Sequence, residues 1–249
     1  MRLFRLLRGL AVAAFTLQAT AGAAAGVVNP GYYVVTVYDD PGLVTLDFRY
    51  WSVQANDGNT TVIWPEAGLG WNVNGRWYTE AFASWIGSSK FPTRLETLNW
   101  QNDFLLTQGQ YPFDLAVHTL LVRPQGPATG YALEIGPVFQ TEIERVQLTL
   151  NLFFQRGFNS LAGPTELSYQ WQLRYRWNRW LHVGAQGFGE LGPWNEWLPQ
   201  DRQSHRAGPA VFGSVPLGPG KLGWQAAYLF GKTYARRGEM FTARIKYDF

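Results

Sequence analysis

Three histidines and no cysteine are the whole stock of side chains for base-assisted nucleophilic or soft-metal chemistry in this 249-residue chain. A hydrolase or acyltransferase built on strands needs a histidine base beside a serine, often two residues apart on one strand face. Two positions after His118 stands Leu120, and two after His182 stands Gly184. Ser204 and His205 are adjacent, so on a strand they point to opposite faces. Ser160 has no histidine near it in sequence. A triad gathered from distant strands stays open, but no spacing marks one. The histidines share no spacing and the carboxylates are dispersed, which gives no metal signature and implies no cofactor. Gly184, Gly187, Gly189 and Gly192 imitate a phosphate loop by pattern alone. Inside a strand they read instead as thin positions where a sheet bends or a neighbour packs closely. No nucleic-acid module is present.

The charged residues carry more information, because they fall on alternate positions. Asp47, Glu66, Glu80, Asp103, Asp114, Glu134, Glu142, Glu190 and Asp248 share the polar faces of their segments with Arg49, Arg174, Arg176, Arg244, Lys246, His118 and His182. From Glu66 to Glu142 these faces are acidic, and most of the bases come from the opposite arc once the last strand meets the first. Opposed charges across a lumen create a transverse field that orders water and polar solutes. Glu134, Glu142, Arg174 and Arg176 are the candidates for a constriction. Arg244 and Lys246, with Asp47, Arg49 and Asp248, look like a structural seam. The competing reading is that long charged side chains fill a narrow interior and pair across it.

These faces require strands. In the last segment Phe241, Ala243, Ile245, Tyr247 and Phe249 oppose Thr242, Arg244, Lys246 and Asp248. A period of two with an apolar outside and a charged inside describes a strand between lipid and an aqueous lumen. The same pattern recurs in 146–155 (Leu148, Leu150 and Leu152 against Thr149 and Asn151), in 165–177 and in 130–141. Thirteen segments qualify: 31–38, 43–53, 61–72, 76–86, 93–106, 112–122, 130–141, 146–155, 165–177, 180–191, 206–217, 221–231 and 239–249. Bacterial single-chain barrels use an even number of strands. With Phe249 at the periplasm, the connections 54–60, 87–92, 123–129, 156–164, 192–205 and 232–238 fall outside the cell. The shorter set 73–75, 107–111, 142–145, 178–179 and 218–220 falls inside. The reading is an all-β, antiparallel transmembrane barrel of twelve strands, within a range of ten to fourteen, spanning about residues 43–249.

Residues 31–38, from Gly31 to Tyr38, are left over. Their alternation is too apolar for a free tail. They either fold back through Asp40-Pro41-Gly42, enter the lumen, or raise the count to fourteen. In 93–106 Glu96 and Asn102 share a face with Leu98, Trp100 and Phe104, which calls for a bulge, an interfacial position or a different boundary. The irregular stretch 193–205, with Trp194 and Trp197, reads as an external loop, with an inward fold or a surface-ligand site as alternatives.

Residues 1–25 read as a secretory signal peptide: Arg2, Arg5 and Arg8, an apolar run over 10–17, then small residues offering cleavage between Ala21 and Gly26. That run is well short of the roughly 20 residues that cross a bilayer as a helix. Residues 26–249 then form one domain. With no cysteine, neither disulfides nor a lipid-modified cysteine anchor it, so a closed ladder must hold the fold. Aromatic residues make up 16% of the chain and charged residues only 16%, with a mean hydropathy of -0.17. That balance fits strands that are half polar. Trp71, Trp77, Trp177, Trp180 and Tyr247 stand at strand ends, where aromatic girdles belong. The net charge is +3, and Arg202, Arg206, Arg236 and Arg237 lie in or beside loops, facing lipid phosphates or simply solvent.

The terminal strand, with Phe241, Tyr247 and the final Phe249, resembles the C-terminal assembly signal of Gram-negative outer-membrane barrels. That resemblance implies the outer membrane as location, with its lipids, its lipopolysaccharide and the barrel-assembly machinery as partners. Together with the export signal and the hairpin formed by 209–217 and 221–231, the chain is similar to the putative transporters associated with meta-pathway phenol degradation and to uncharacterised relatives. The resemblance implies passive passage of small molecules, aromatic ones among them. The expected function is a small-solute channel. The alternative is a closed barrel with a structural or surface-interaction role, with a lipid-modifying enzyme behind both.

Overall fold

A computed structural model describes residues 31–37, 42–55, 60–126, 130–233 and 236–249. The signal-peptide region and Tyr38 lie outside the described residues. The strands are β1 (Val44–Ala55), β2 (Thr61–Asn74), β3 (Trp77–Ser88), β4 (Phe91–Leu105), β5 (Phe113–Pro124) and β6 (Tyr131–Ile143). The second half comprises β7 (Val146–Phe158), β8 (Glu166–Tyr175), β9 (Leu181–Pro193), β10 (Ser204–Leu217), β11 (Gly220–Thr233) and β12 (Arg236–Asp248). Each pairs antiparallel with its neighbours in sequence, and β1 pairs with β12, which closes the barrel. Closure leaves no unpaired edge, a condition for crossing lipid with strands.

The seam is held by reciprocal backbone bonds: Val44 N–H donates to Phe249 O at 3.0 Å, and Phe249 N–H to Val44 O at 2.9 Å. We call this end the proximal rim. The outer face carries Leu46, Phe48, Leu69, Leu133, Ile135, Leu150, Leu152 and Ile245, all exposed. Their strand neighbours Asp47, Arg49, Glu134, Thr149, Asn151 and Arg244 are buried inside. An apolar exterior around a polar, buried interior is the inverse of a water-soluble barrel and matches a membrane one. Trp71, Trp177 and Trp180 are exposed at the proximal rim, as a girdle requires.

In the β3–β4 pairing, Ser84 opposes Thr97 and Trp85 opposes Leu95, so Glu96 is the extra residue of a bulge. The bulge leaves Glu96 half-exposed, 3.5 Å from Arg94. Asn102 is served by the indole N–H of Trp77 at 3.1 Å. The glycines of β9 are thin positions. Gly187 and Gly189 stand opposite Trp171 and Tyr169 in register, and those two rings occupy the space that a side chain on either glycine would fill.

Two expectations need correction. The loops do not sort cleanly by length: β3 and β4 are joined only by Ser89 and Lys90, whereas residues 106–112 form a long connection at the proximal rim. The β3–β4 turn is tight because both strands run two residues past the boundaries read from the sequence. Arg236 and Arg237, read within the connection 232–238, are strand residues, because β12 begins three residues earlier. Arg206 shares the inward face of β10 with Ala210 and Phe212 and is buried in the lumen. The stretch around Trp194 and Trp197 is an exposed connection between β9 and β10.

Candidate functional site

The leftover segment enters the lumen. Residues 31–37 are extended but belong to no strand, and Tyr32, Tyr33, Val34 and Val35 are buried. Their alternation serves two opposite walls. Tyr32 and Val34 pack with Trp51, Phe188, Phe212, Leu229 and Met240. Tyr33 and Val35 pack with Leu105, Ala116, Val138 and Phe153, and Val37 joins them. An extended chain places successive side chains on opposite sides, so the segment bridges the lumen from wall to wall.

Polar contacts fix it in register. Tyr33 hydroxyl donates to Gln101 Oε1 at 2.7 Å, and the Arg49 guanidinium lies 3.9 Å from the Tyr33 ring centroid. Tyr32 hydroxyl donates to Glu190 Oε1 at 2.7 Å. Arg206 lies 4.2 Å over the Tyr32 ring and bonds Glu190 Oε2 at 2.6 Å. The backbone of Val35 is met by side chains: its N–H donates to Gln170 Oε1 at 3.1 Å, and its carbonyl accepts from Asn151 at 2.9 Å. Side-chain tethers replace the continuous ladder that holds a wall strand.

The charges beneath the segment form one buried network. Arg49 Nη2 bonds Asp47 Oδ2 at 2.8 Å and both Glu80 oxygens at 2.7 Å. Its Nη1 lies 3.8 Å from Glu66 Oε2. Arg244 Nε donates to Asp47 at 2.9 and 3.0 Å. Tyr78 and Ser84 hydroxyls complete the acids, donating to Glu80 at 2.8 Å and Glu66 at 3.1 Å. On the facing wall, His118 Nδ1 lies 2.6 Å from Asp103 Oδ1, and its Nε2 lies 3.5 Å from Glu134 Oε1. His205 contacts Tyr169 and Gln203.

Below the network a cavity of about 550 Å³ occupies the proximal half of the lumen. Thr36 and Val37 line it from the segment, with Arg174, Arg176, His182, Lys221, Arg244 and Lys246 from the wall. The four constriction candidates and the seam residues Arg244 and Lys246 therefore do not form one ring. Glu142 and Arg176 pair at 2.5 Å on the proximal rim, both well exposed. Lys246 pairs with Asp248 at 2.9 Å at the seam. Arg174 lies further in, against the Phe212 ring at 4.5 Å. Arg244 belongs to the Asp47 network, and Glu134 sits apart beside His118. Phe241, Tyr247 and Phe249 lie on the outer face of the terminal strand, with Tyr247 hydroxyl donating to Leu217 O at 2.9 Å. Sequence reasoning missed Arg206, Gln170 and the two tyrosines. Inward parity counted back from Phe212 through Ala210 would have found Arg206.

No family profile and no curated protein matches the chain. Solved structures do. The KdgM porin in complex with disordered oligogalacturonate superposes with a TM-score of 0.58 at 6% identity, covering 82% of this chain and 99% of that one. An outer membrane channel from Pseudomonas putida F1 gives 0.58 at 14% identity, covering 90% and 100%. The NanC porin gives 0.52 at 10% identity, covering 82% and 98%. At these identities the likeness is one of fold: a closed barrel of the outer-membrane kind.

Proposed function

We propose that the protein is a narrow, passive outer-membrane channel for small solutes, constricted by its own residues 31–37. The carrying observation is the polar cavity of about 550 Å³, roofed by a segment that side chains rather than a ladder hold in place. Such a segment can shift without breaking the wall. The barrels that resemble it in fold are described as porins and channels, which supports the reading.

In this reading the proximal rim faces the periplasm, residues 1–25 are removed on export, and Phe249 addresses the chain to the barrel-assembly machinery. The outer leaflet brings lipopolysaccharide against the distal rim. The finer resemblance, to transporters associated with meta-pathway phenol degradation, would make the solutes aromatic. Glu142, Arg176 and Arg174 set the charge that a solute meets at the periplasmic mouth.

One observation favours a second reading. The apolar packing of Tyr32, Tyr33, Val34 and Val35 against both walls also suits a closed barrel with a structural role. Swelling of liposomes containing the purified protein separates the two. A channel admits solutes up to a size limit and excludes larger ones. Failure to admit even the smallest solute tested would leave the closed barrel.

A further inference from the structure

Three of the five arginines and lysines that line the proximal cavity have a carboxylate partner. Arg176 is answered by Glu142, Arg244 by Asp47 and Lys246 by Asp248. Of the two that remain, Lys221 is exposed to solvent, and Arg174 lies further in. Its guanidinium lies on Phe212 and donates one bond to Gln172 Oε1 at 3.1 Å. Its Nε is buried without a hydrogen-bond partner, and among the described residues no carboxylate reaches it. His182 lines the same cavity, next to the Asn178 backbone and within electrostatic reach of Arg174. A largely desolvated guanidinium with an idle donor is costly unless an anion completes it.

We infer that Arg174, with His182 beside it, is the binding site for the carboxylate of a small organic anion entering the cavity from the proximal mouth. The guanidinium fork matches a carboxylate in a plane with two parallel N–H donors. Phe212 fixes that plane by covering one face. Trp224, Leu43 and Val37 supply apolar lining beside the charged groups, which suits an acid with a hydrocarbon portion over a bare inorganic ion. The inference gives a solute class to the channel reading and rests on it for its biological meaning. The binding itself is independent of conduction.

The test is an NMR titration of the full-length mature protein in detergent micelles, following arginine Nε–H and histidine ring resonances. Sodium butyrate is compared with neutral butyramide and with sodium chloride at equal ionic strength. The Arg174 resonance, assigned by its loss in R174K, should move saturably with butyrate and stay still with the other two. The His182 resonances should follow the same curve, and in R174K their midpoint should rise at least about tenfold, because the bidentate fork is lost while the charge is kept. An Arg174 signal that ignores butyrate, or moves equally with butyramide, overturns the site. Butyrate binding without permeation would remove the channel and leave the site; permeation without the shift would do the reverse.

Discussion

The guanidinium of Arg49 lies 3.9 Å from the centroid of the Tyr33 ring, so one side chain joins the wall's ionic network to the segment that crosses the lumen. On its other bonds Arg49 holds Asp47 and Glu80, with Glu66 beside them. Wall stability and the seating of the segment therefore meet at a single residue.

Removing Arg49 should be severe. R49M leaves Glu66 and Glu80 buried without their cation, and breaking a buried pair in this way costs about 3–5 kcal/mol. Thermal unfolding in detergent should show a large drop in midpoint. Adding E66Q and E80Q should recover most of it, because neutral amides no longer need a counter-charge. Wild-type stability in R49M alone would contradict the network.

The rim pair behaves differently. Arg176 and Glu142 have side chains 45% and 41% exposed, where solvent screens the pair. E142Q should change stability by less than about 1 kcal/mol in the same unfolding assay. A loss as large as that of R49M would mean the pair is buried in the assembled protein.

The tethers on residues 31–37 predict a graded release. In Y33S the apolar contact, the bond to Gln101 and the stacking with Arg49 are all lost, while the wall strands keep their ladder. Exchange of the Val35 amide, which donates to Gln170, should quicken at least about tenfold, the effect of losing one net hydrogen bond's worth of local stability. Amides of β7 should be unchanged. Equal quickening in both places would make the segment part of the wall's cooperative unit.

The thin positions of β9 can be tested by a compensating pair. A side chain at Gly189 collides with the Tyr169 ring, so G189V should reduce the yield of folded, heat-modifiable barrel on gels. Y169A in the same chain should restore it, since the three atoms nearest such a side chain all belong to Tyr169. Lack of rescue would place the glycine's role in its backbone.

The sequence made the wall legible and the plug illegible for one physical reason. Lipid outside and polar lumen inside impose a period of two on every wall strand, so Phe241 to Phe249 or Val146 to Phe154 can be assigned locally. All twelve strands begin and end within three residues of the sequence boundaries. The bulge at Glu96 was legible too, as a charge on an apolar face. Residues 31–37 also alternate, but both of their faces meet protein, and no local pattern distinguishes burial against two lumen walls from burial against lipid. Arg206 opens the segment 206–217 and shares the inward parity of Ala210 and Phe212, but its partners Glu190 and Tyr32 lie on other elements that the segment does not encode. The pairing of Arg49 with Glu80 joins β1 to β3 across β2 and rests on the register of two successive hairpins, which no single segment encodes.

The central claim is that residues 31–37 set the constriction of an otherwise open barrel. Single-channel recording in planar bilayers tests it by comparing the intact mature chain with a variant lacking residues 31–37, and with Y32S/Y33S. The account predicts small, discrete conductance for the intact protein and a clearly larger one for the deletion, with Y32S/Y33S between them. Equal conductance in all three, or none in any, would contradict it.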